Sequence, residues 1–273
     1  MNKALVKTKE EIEVLREGGR RLAVILKKVA TEAKPGVSTY DLDRLAESLI
    51  FESGGLPSFK NYKPEGAEVP YPSSLCVSVN DEVVHAIPKR GRILKEGDIV
   101  GLDIGMRWPA GRQSTINNQQ SINGLFTDMA VTIGVGKISE DAKRLLEITK
   151  EALDLGINEI RVGATIGDIG HAIEKHLKKN NLGVVRDLAG HGVGYKVHEE
   201  PLVPNYGRPG EGVKLKKGMV IAIEPISTLG NPKIFLAPDK WTFKTSDGSL
   251  SAHFEHTVAI VAGGSEILTP LEV

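Results

Sequence analysis

Apolar residues in the first part of the chain recur at helical spacing. Ile12, Leu15, Leu22, Ile25, Leu26 and Val29 share one stripe of a 3.6-residue period behind a Thr8/Glu11 capping pair, and Lys34-Pro35-Gly36 ends the run. This predicts a long first helix. Ser38 and Asp41 cap a second, with Leu42, Leu45, Leu49 and Ile50 inward and Gly54-Gly55 as its stop. Turn-rich sequence then runs to Ser74. Beyond it the pattern changes to short runs rich in β-branched residues: LCVSVNDEVV from Leu75, DIVGLDIG from Asp98 and LFTDMAVTIGVG from Leu125 read as strands. Ser139 opens a further helix to about Leu155, and Thr165 with Asp168 caps another bearing Ile169, Ile173 and Leu177. The strands VIAIEPIST from Val220 and HFEHTVAIVAG from His253 close the chain.

The order of elements hides an internal repeat. PGVSTYDLDRLAESLI from Pro35 aligns with VGATIGDIGHAIEKHL from Val162, with glycine, hydroxyl, Asp and Glu positions coinciding. LKEGDIVGLDI from Leu94 aligns with LKKGMVIAIEP from Leu215, which sets Asp103 on Glu224. TDMAVTI from Thr127 aligns with FEHTVAI from Phe254, which sets Asp128 on Glu255. VVHAIP aligns with KVHEEP, which sets His85 on His198. The expectation is one domain over residues 1–273, with a repeat spanning approximately 35–135 and 162–262. If the halves pack about a pseudo-twofold axis, the matched polar pairs converge on it.

Those pairs carry candidate chemistry. Asp103 lies between Leu102 and Ile104, Glu224 follows Ile221-Ala222-Ile223, and Glu255 sits between Phe254 and His256. Carboxylates packed together in apolar surroundings repel and shift their pKa values unless cations compensate them, and a multivalent metal does this most directly. One such acid alone reads as a solvent-facing strand residue. Matching in both halves favours a metal site, because an exposed acid gains nothing from its counterpart. His191, between small neighbours in Gly190-His191-Gly192-Val193-Gly194, is assigned as the single nitrogen ligand. An acid-rich set with one imidazole favours Mn, Fe, Co or Zn, and a metal pair bridged by carboxylates activates water for hydrolysis near neutral pH. His85 and His198 then remain as donors to the scissile group. His171 and His176 share a predicted helix with Lys175, Lys178 and Lys179 and read as a solvated face. His253 and His256 flank Glu255 and read either as groups that orient ligands or as strand-edge residues.

Composition narrows the setting. The 273 residues carry 35 Lys plus Arg against 35 Asp plus Glu, so no global field favours nucleic acid or anionic lipid. The single cysteine, Cys76, excludes a disulfide framework and a Cys-rich zinc finger, and fits a reducing compartment. No apolar run reaches signal-peptide or membrane-span length. A cytoplasmic protein without a membrane role is expected.

Six motifs then occur in one order: NDEVVHAIP (80–88), GDIVGLDIG (97–105), GHGVG (190–194), VHEEP (197–201), IAIEP (221–225) and KTSDGSLSAHFEHT (244–257). Through them the sequence resembles the methionine aminopeptidases, specifically the short bacterial type I enzymes, over nearly its whole length. The resemblance implies an α+β "pita-bread" fold, in which two pseudo-twofold halves surround a central antiparallel sheet with helices on its outer face. It implies two divalent metals on Asp103, Asp128, His191, Glu224 and Glu255, with one metal also taking the substrate's free amine. Glu224 would shuttle a proton, His198 would stabilise the tetrahedral intermediate, and His85 would contact the scissile amide. Tyr62, Cys76 and Trp241 would surround the methionine side chain, for which a polarisable apolar pocket is suited. The implied activity is removal of the N-terminal methionine from peptides and nascent chains, at the ribosome, before a small second residue, by a monomer.

Departures from the family pattern are local. The polar stretch MRWPAGRQSTINNQQSING (106–124) separates the two aspartates where the family has a tight hairpin, and its composition predicts a surface excursion. Val197 stands where many relatives carry an aromatic, Gly105 stands where a hydroxyl residue is frequent, and an amino-terminal zinc-finger or basic extension is absent. Two rivals share the fold. A proline-specific aminopeptidase or prolidase carries a large additional amino-terminal domain, for which this chain has no room. A peptide-binding module without catalysis has lost metal ligands, whereas all five stand here.

Overall fold

Helix α1 (Lys9–Glu32) begins where Thr8 and Glu11 close the expected capping box: Thr8 Oγ1 accepts from the Glu11 amide at 3.2 Å, and Glu11 Oε2 accepts from the Thr8 amide at 2.7 Å. Helix α4 (Ile166–Lys179) repeats the box with Thr165 and Asp168, while α2 (Thr39–Glu52) and α3 (Glu140–Asn158) are capped by the Ser38 and Ser139 side chains alone. The computed structural model of the chain describes residues 6–111, 113–114 and 121–271. Among these, no helix is long and apolar enough to cross a membrane.

The described strands build a curled antiparallel sheet of nine, in the order Leu56–Pro57, Ile99–Trp108, Leu125–Gly134, Glu255–Val261, Val220–Ile223, Ala189–Gly192, Glu199–Pro204. Leu75–Val79 pairs beside Ile99–Trp108, and Gly264–Ile267 beside Glu255–Val261. The two halves meet where Leu125–Gly134 pairs with Glu255–Val261, in the register Ala130↔Glu255. Alternation along these central strands sorts the side chains. Leu102, Ile104, Met129, Val131, Ile221, Ile223, Val258 and Ile260 join one core cluster with the inward stripes of the helices. Asp103, Asp128 and Glu255 occupy the intervening positions and so face the other way.

The helices cover the apolar side. α1 lies against Ile99–Trp108 and Leu125–Gly134, α2 against Leu75–Val79, and α3 and α4 pack on each other, with α4 also against Glu199–Pro204. Leu22, Leu26, Leu42, Ile50, Leu102 and Ile104 are fully buried between these layers. At about 1.5–3 kcal/mol for each such side chain, this layer supplies the main stabilisation. Equivalent hydrogen bonds recur at positions that the sequence repeat equates. The Gly36 amide bonds the Leu94 carbonyl and the Leu94 amide returns to Val37; Gly163, Leu215 and Ala164 repeat both bonds.

Three expected strands are broken in two. LCVSVNDEVV divides into Leu75–Val79 and Glu82–Val84 because Asn80 turns with φ of 60°. VIAIEPIST divides into Val220–Ile223 and Ile226–Thr228 around Glu224-Pro225, where proline has no amide for the ladder. HFEHTVAIVAG divides after His253, leaving Glu255 as the first residue of the seam strand. The polar excursion is also shorter than its composition suggested. The paired strands continue to Trp108↔Leu125, so the chain leaves the sheet only from Pro109. Trp108 is packed under Arg21 and donates from Nε1 to the Ser53 carbonyl at 3.2 Å. Residues 112 and 115–120, in the middle of the excursion, lie outside the described residues.

Gly19 in α1 separates two opposing effects. Alanine improves helix propensity by about 1 kcal/mol, but a Cβ there would stand 2.1 Å from the Leu268 carbonyl oxygen, a contact that only backbone movement relieves. Overpacking of this kind costs about 1–3 kcal/mol, so the clash wins. Gly19→Ala is expected to lower the denaturant midpoint; an unchanged or raised midpoint would show that α1 does not dock this closely.

Candidate metal centre

Four strands and one strand end deliver the five candidate ligands to the sheet face opposite the helices. Asp103 comes from Ile99–Trp108, Asp128 from Leu125–Gly134, His191 from Ala189–Gly192 and Glu255 from the start of Glu255–Val261, while Glu224 follows Val220–Ile223 directly. Asp128, His191 and Glu255 each offer a ligand atom within 4.8 Å of the others. His191 Nε2 lies 3.5 Å from Asp128 Oδ2 and 3.7 Å from Glu224 Oε1. The glycines beside His191 are required by neighbouring backbone. A Cβ on Gly190 would approach the Ala222 carbonyl oxygen to 2.4 Å, and one on Gly192 the Glu200 carbonyl oxygen to 2.2 Å. His191 Nδ1 donates to the Gly192 carbonyl at 2.9 Å, which leaves the lone pair on Nε2, the nitrogen that faces the carboxylates.

The electrostatics follow from burial. Desolvation pushes Glu224 up to about 8, with His191 opposing and Asp128 adding to the rise. Desolvation pushes Asp103 up to about 7, with His253 opposing and Glu224 and Asp128 reinforcing. Asp128 is raised and Glu255 raised well above its ordinary value, burial being the first cause of each. Among the described residues no lysine or arginine lines this pocket to neutralise the four carboxylates, and the imidazole of His191 completes the donor set. This is the chemistry of a site for hard or borderline divalent cations, and the residues present fit it.

The other candidate site residues, Tyr62, Cys76, His85, His198 and Trp241, line the same cavity, whose volume is about 100 Å3. A water needs about 10–15 Å3 of such space, so there is room for a side chain with a few waters and not for a folded peptide. Cys76 sits directly across from Asp103 in the strand pair, and burial with the adjacent Asp103 charge keeps it a thiol. His85 occupies a left-handed backbone position, φ 58°, and its ring meets Trp241 and Phe243 edge-on at 6.2 and 6.0 Å. Burial pushes its pKa down to about 4, so the imidazole is neutral at neutral pH. His198 stands at the mouth, partly open to solvent. The protein around its ring, then His191 and His85, lowers its pKa too. Its Nδ1 is 2.9 Å from the Tyr62 hydroxyl.

Several wall residues were not singled out from sequence. Phe59, Pro64 and Tyr71 come from the turn-rich segment, where only an aromatic spacing hints at a wall. Tyr71 is buried, donates to the Leu75 and Ala86 carbonyls and meets Trp241 edge-on at 5.1 Å. His253 and His256, each read either as a ligand-orienting group or as a strand-edge residue, lie on different faces. His253 lines the cavity, with Nε2 3.5 Å from Glu224 Oε2 and no hydrogen bond among the described residues. His256 points to the helix side, beside Thr269. Gly105, a departure from the family pattern, has a local cause: a Cβ there would lie 2.2 Å from Ser58 Oγ and 2.7 Å from the Phe59 ring. Val197 is buried and does not line the cavity.

Residues 13–262 match the model of metallopeptidase family M24. A methionine aminopeptidase of Clostridium acetobutylicum is 43% identical over 268 residues, covering 98% of this chain and 99% of that protein. Methionine aminopeptidase 1 of Bacillus subtilis is 42% identical over 265 residues, covering 97% and 98%. The crystal structure of a methionine aminopeptidase from Thermotoga maritima superposes with a TM-score of 0.88 at 40% identity, covering 98% of this chain and 99% of that one. A prolidase from Pyrococcus horikoshii shares the fold, with a TM-score of 0.71 at 22% identity, and the chain spans 64% of it. The pita-bread architecture, the acid-rich centre and these full-length matches agree: the chain belongs to metallopeptidase family M24 and, within it, to the methionine aminopeptidases.

Proposed function

We propose that the protein removes the N-terminal methionine of peptides and nascent chains, preferring a small second residue, with two divalent metals on Asp103, Asp128, His191, Glu224 and Glu255. The observation that carries this reading is the convergence of four carboxylates, Asp128 and Glu255 buried and Asp103 and Glu224 half-buried, with His191 in a cavity walled by aromatic and thiol groups. Mn, Fe, Co or Zn fits the donor set. Bound metal would polarise the scissile carbonyl and acidify a water.

The chain's own groups divide the remaining work. The cavity walls of Tyr62, Cys76 and Trp241 take a thioether side chain, and a volume of about 100 Å3 admits one such side chain, as cleavage at a chain end requires. Glu224, whose carboxyl sits near the midpoint of titration when no cation faces it, is the group that accepts and returns a proton. Neutral His198 donates to the oxygen that gains charge, and neutral His85 contacts the scissile amide. We take the chain as one domain, from a duplication of 35–135 and 162–262, working as a monomer in the cytoplasm on chains emerging from the ribosome. The repeated Gly36–Leu94 and Gly163–Leu215 hydrogen bonds and the buried, unpaired Cys76 support that reading.

Assay of Met-Ala-Ser against an Xaa-Pro peptide, with manganese supplied, tests the assignment; preferential Xaa-Pro cleavage would overturn it. Glu224→Gln is expected to lower kcat by about 10²–10⁴-fold while the melting temperature stays close to that of the parent, and near-normal turnover would remove Glu224 from the proton transfer. A third expectation concerns metal-free protein. The folded-state pKa values of Asp103 and Glu224 lie above their unfolded values, so the fold favours their protonated forms; that stability is complete below about pH 4 and is lost as pH rises through about 7 to 8. In chelator, the melting temperature should fall across this window, and manganese should restore it most at the alkaline end. A chelated melting temperature that is flat with pH would mean the carboxylates do not meet as buried groups.

A further inference from the structure

Tyr62 lines the cavity, but its polar end is engaged away from it. Its hydroxyl oxygen is 2.9 Å from His198 Nδ1, and the two rings meet edge-on with centroids 5.2 Å apart. The residues are 136 apart in sequence and come from opposite halves of the molecule: Tyr62 from the segment between α2 and Leu75–Val79, His198 from the turn before Glu199–Pro204. On its other side, the His198 ring meets His191 edge-on at 4.4 Å. His198 is therefore gripped between a phenol and a candidate metal ligand.

The sense of the hydrogen bond decides what the grip does. A neutral imidazole has one donor and one acceptor nitrogen, and a phenol can serve either. The phenol is the more acidic partner and the imidazole nitrogen the more basic, so the favoured arrangement has the hydroxyl donating to Nδ1. Burial raises the Tyr62 pKa, which keeps the phenol protonated and able to donate. The proton of His198 then sits on Nε2, the nitrogen left for a substrate. The reverse arrangement would leave Nε2 as an acceptor and useless for stabilising developing negative charge.

We propose that Tyr62 is a positioning residue for His198: its hydroxyl holds the imidazole as the tautomer with hydrogen on Nε2, in the orientation from which that N–H meets the substrate's carbonyl oxygen. This rests on the proposed aminopeptidase function for its kinetic consequence, while the tautomer and the hydrogen bond stand apart from it. A wall residue and a positioning residue predict different responses to Tyr62→Phe. Phenylalanine keeps the ring against the cavity and removes the one oxygen that touches His198. Loss of an outer hydrogen bond to an active-site histidine typically costs 10–100-fold in activity.

The experiment pairs spectroscopy with kinetics. Long-range proton–nitrogen NMR of histidine-labelled protein reports which ring nitrogen is protonated, with the His198 resonances identified by their loss in His198→Asn. The parent should show one neutral tautomer with hydrogen on Nε2, and Tyr62→Phe should show a mixture or an altered Nδ1 environment. A parent with hydrogen on Nδ1 would overturn the proposal whatever the activity. In assays on Met-Ala-Ser, Tyr62→Phe should lower kcat by about ten-fold with KM within about three-fold. In a His198→Asn background the same change should have little further effect. Unchanged kcat with a raised KM would make Tyr62 a wall residue only. If the parent cleaves no N-terminal methionine but keeps the Nε2 tautomer, the functional reading fails and the Tyr62–His198 pairing does not.

Discussion

Holding four carboxylates against one another in the interior is the constraint on which this molecule is built. Desolvation pushes Asp103 up to about 7 and Glu224 up to about 8, and raises Asp128 and Glu255 as well. Ionising these groups together, with no cation to face them, therefore opposes folding. A cation turns that opposition into attraction. The scaffold must keep the acids in place in either case, and rigid central strands do so better than loops. Asp128 shows how. Its amide and side chain both bond Thr257 Oγ1, at 3.1 Å each, and Thr257 Oγ1 donates to the Asp128 carbonyl at 2.7 Å. Thr257 lies on the other half of the molecule, so the bond that fixes a ligand also fastens the seam. Thr132 repeats the arrangement with the backbone of His253.

The sequence was most informative where local rules and the global fold agree. Each helix start was legible because a hydroxyl or acid side chain must satisfy amides that the helix leaves open. The acids were legible for a different reason. A lone Asp103 between Leu102 and Ile104 is ambiguous, but period-two alternation and a matched Glu224 in the other half leave few places for both except a shared interior face. His191 had no counterpart, and only its flanking glycines marked it. Those glycines follow from the packing, since the Ala222 and Glu200 carbonyls close in on both sides of that strand.

What stayed hidden depended on geometry with no local signature. His253 shares the parity of Glu255 and lines the cavity, whereas His256 has the opposite parity and does not; whether either was an edge residue depended on strand neighbours far away in sequence. The excursion after Trp108 looked longer than it is because Met106 and Trp108 were counted with a polar stretch, whereas both are buried by long-range contacts with α1, α2 and the segment between α2 and the first core strand. Pocket walls were the least legible. Phe59, Pro64 and Tyr71 lie in a turn-rich run, and turns record backbone chemistry and not the cavity they border.

That division between strands and loops bears on specificity. The candidate ligand acids sit on, or directly after, central strands of the two halves, and a prolidase shares the fold, so the sheet alone does not select a methionine. In the proposed reading selection falls to Tyr62, Tyr71 and Trp241, whose segments have no counterpart in the repeat alignment; Tyr71 meets Trp241 edge-on, Trp241 meets His85, and Tyr62 meets His198. Because His85 packs on Trp241 and His198 bonds Tyr62, the aromatic residues that wall the cavity also orient both imidazoles, the donors of the proposed reaction. Changes in these loops therefore alter substrate fit and donor geometry together, and a substitution that enlarges the pocket at Trp241 also removes the support of His85.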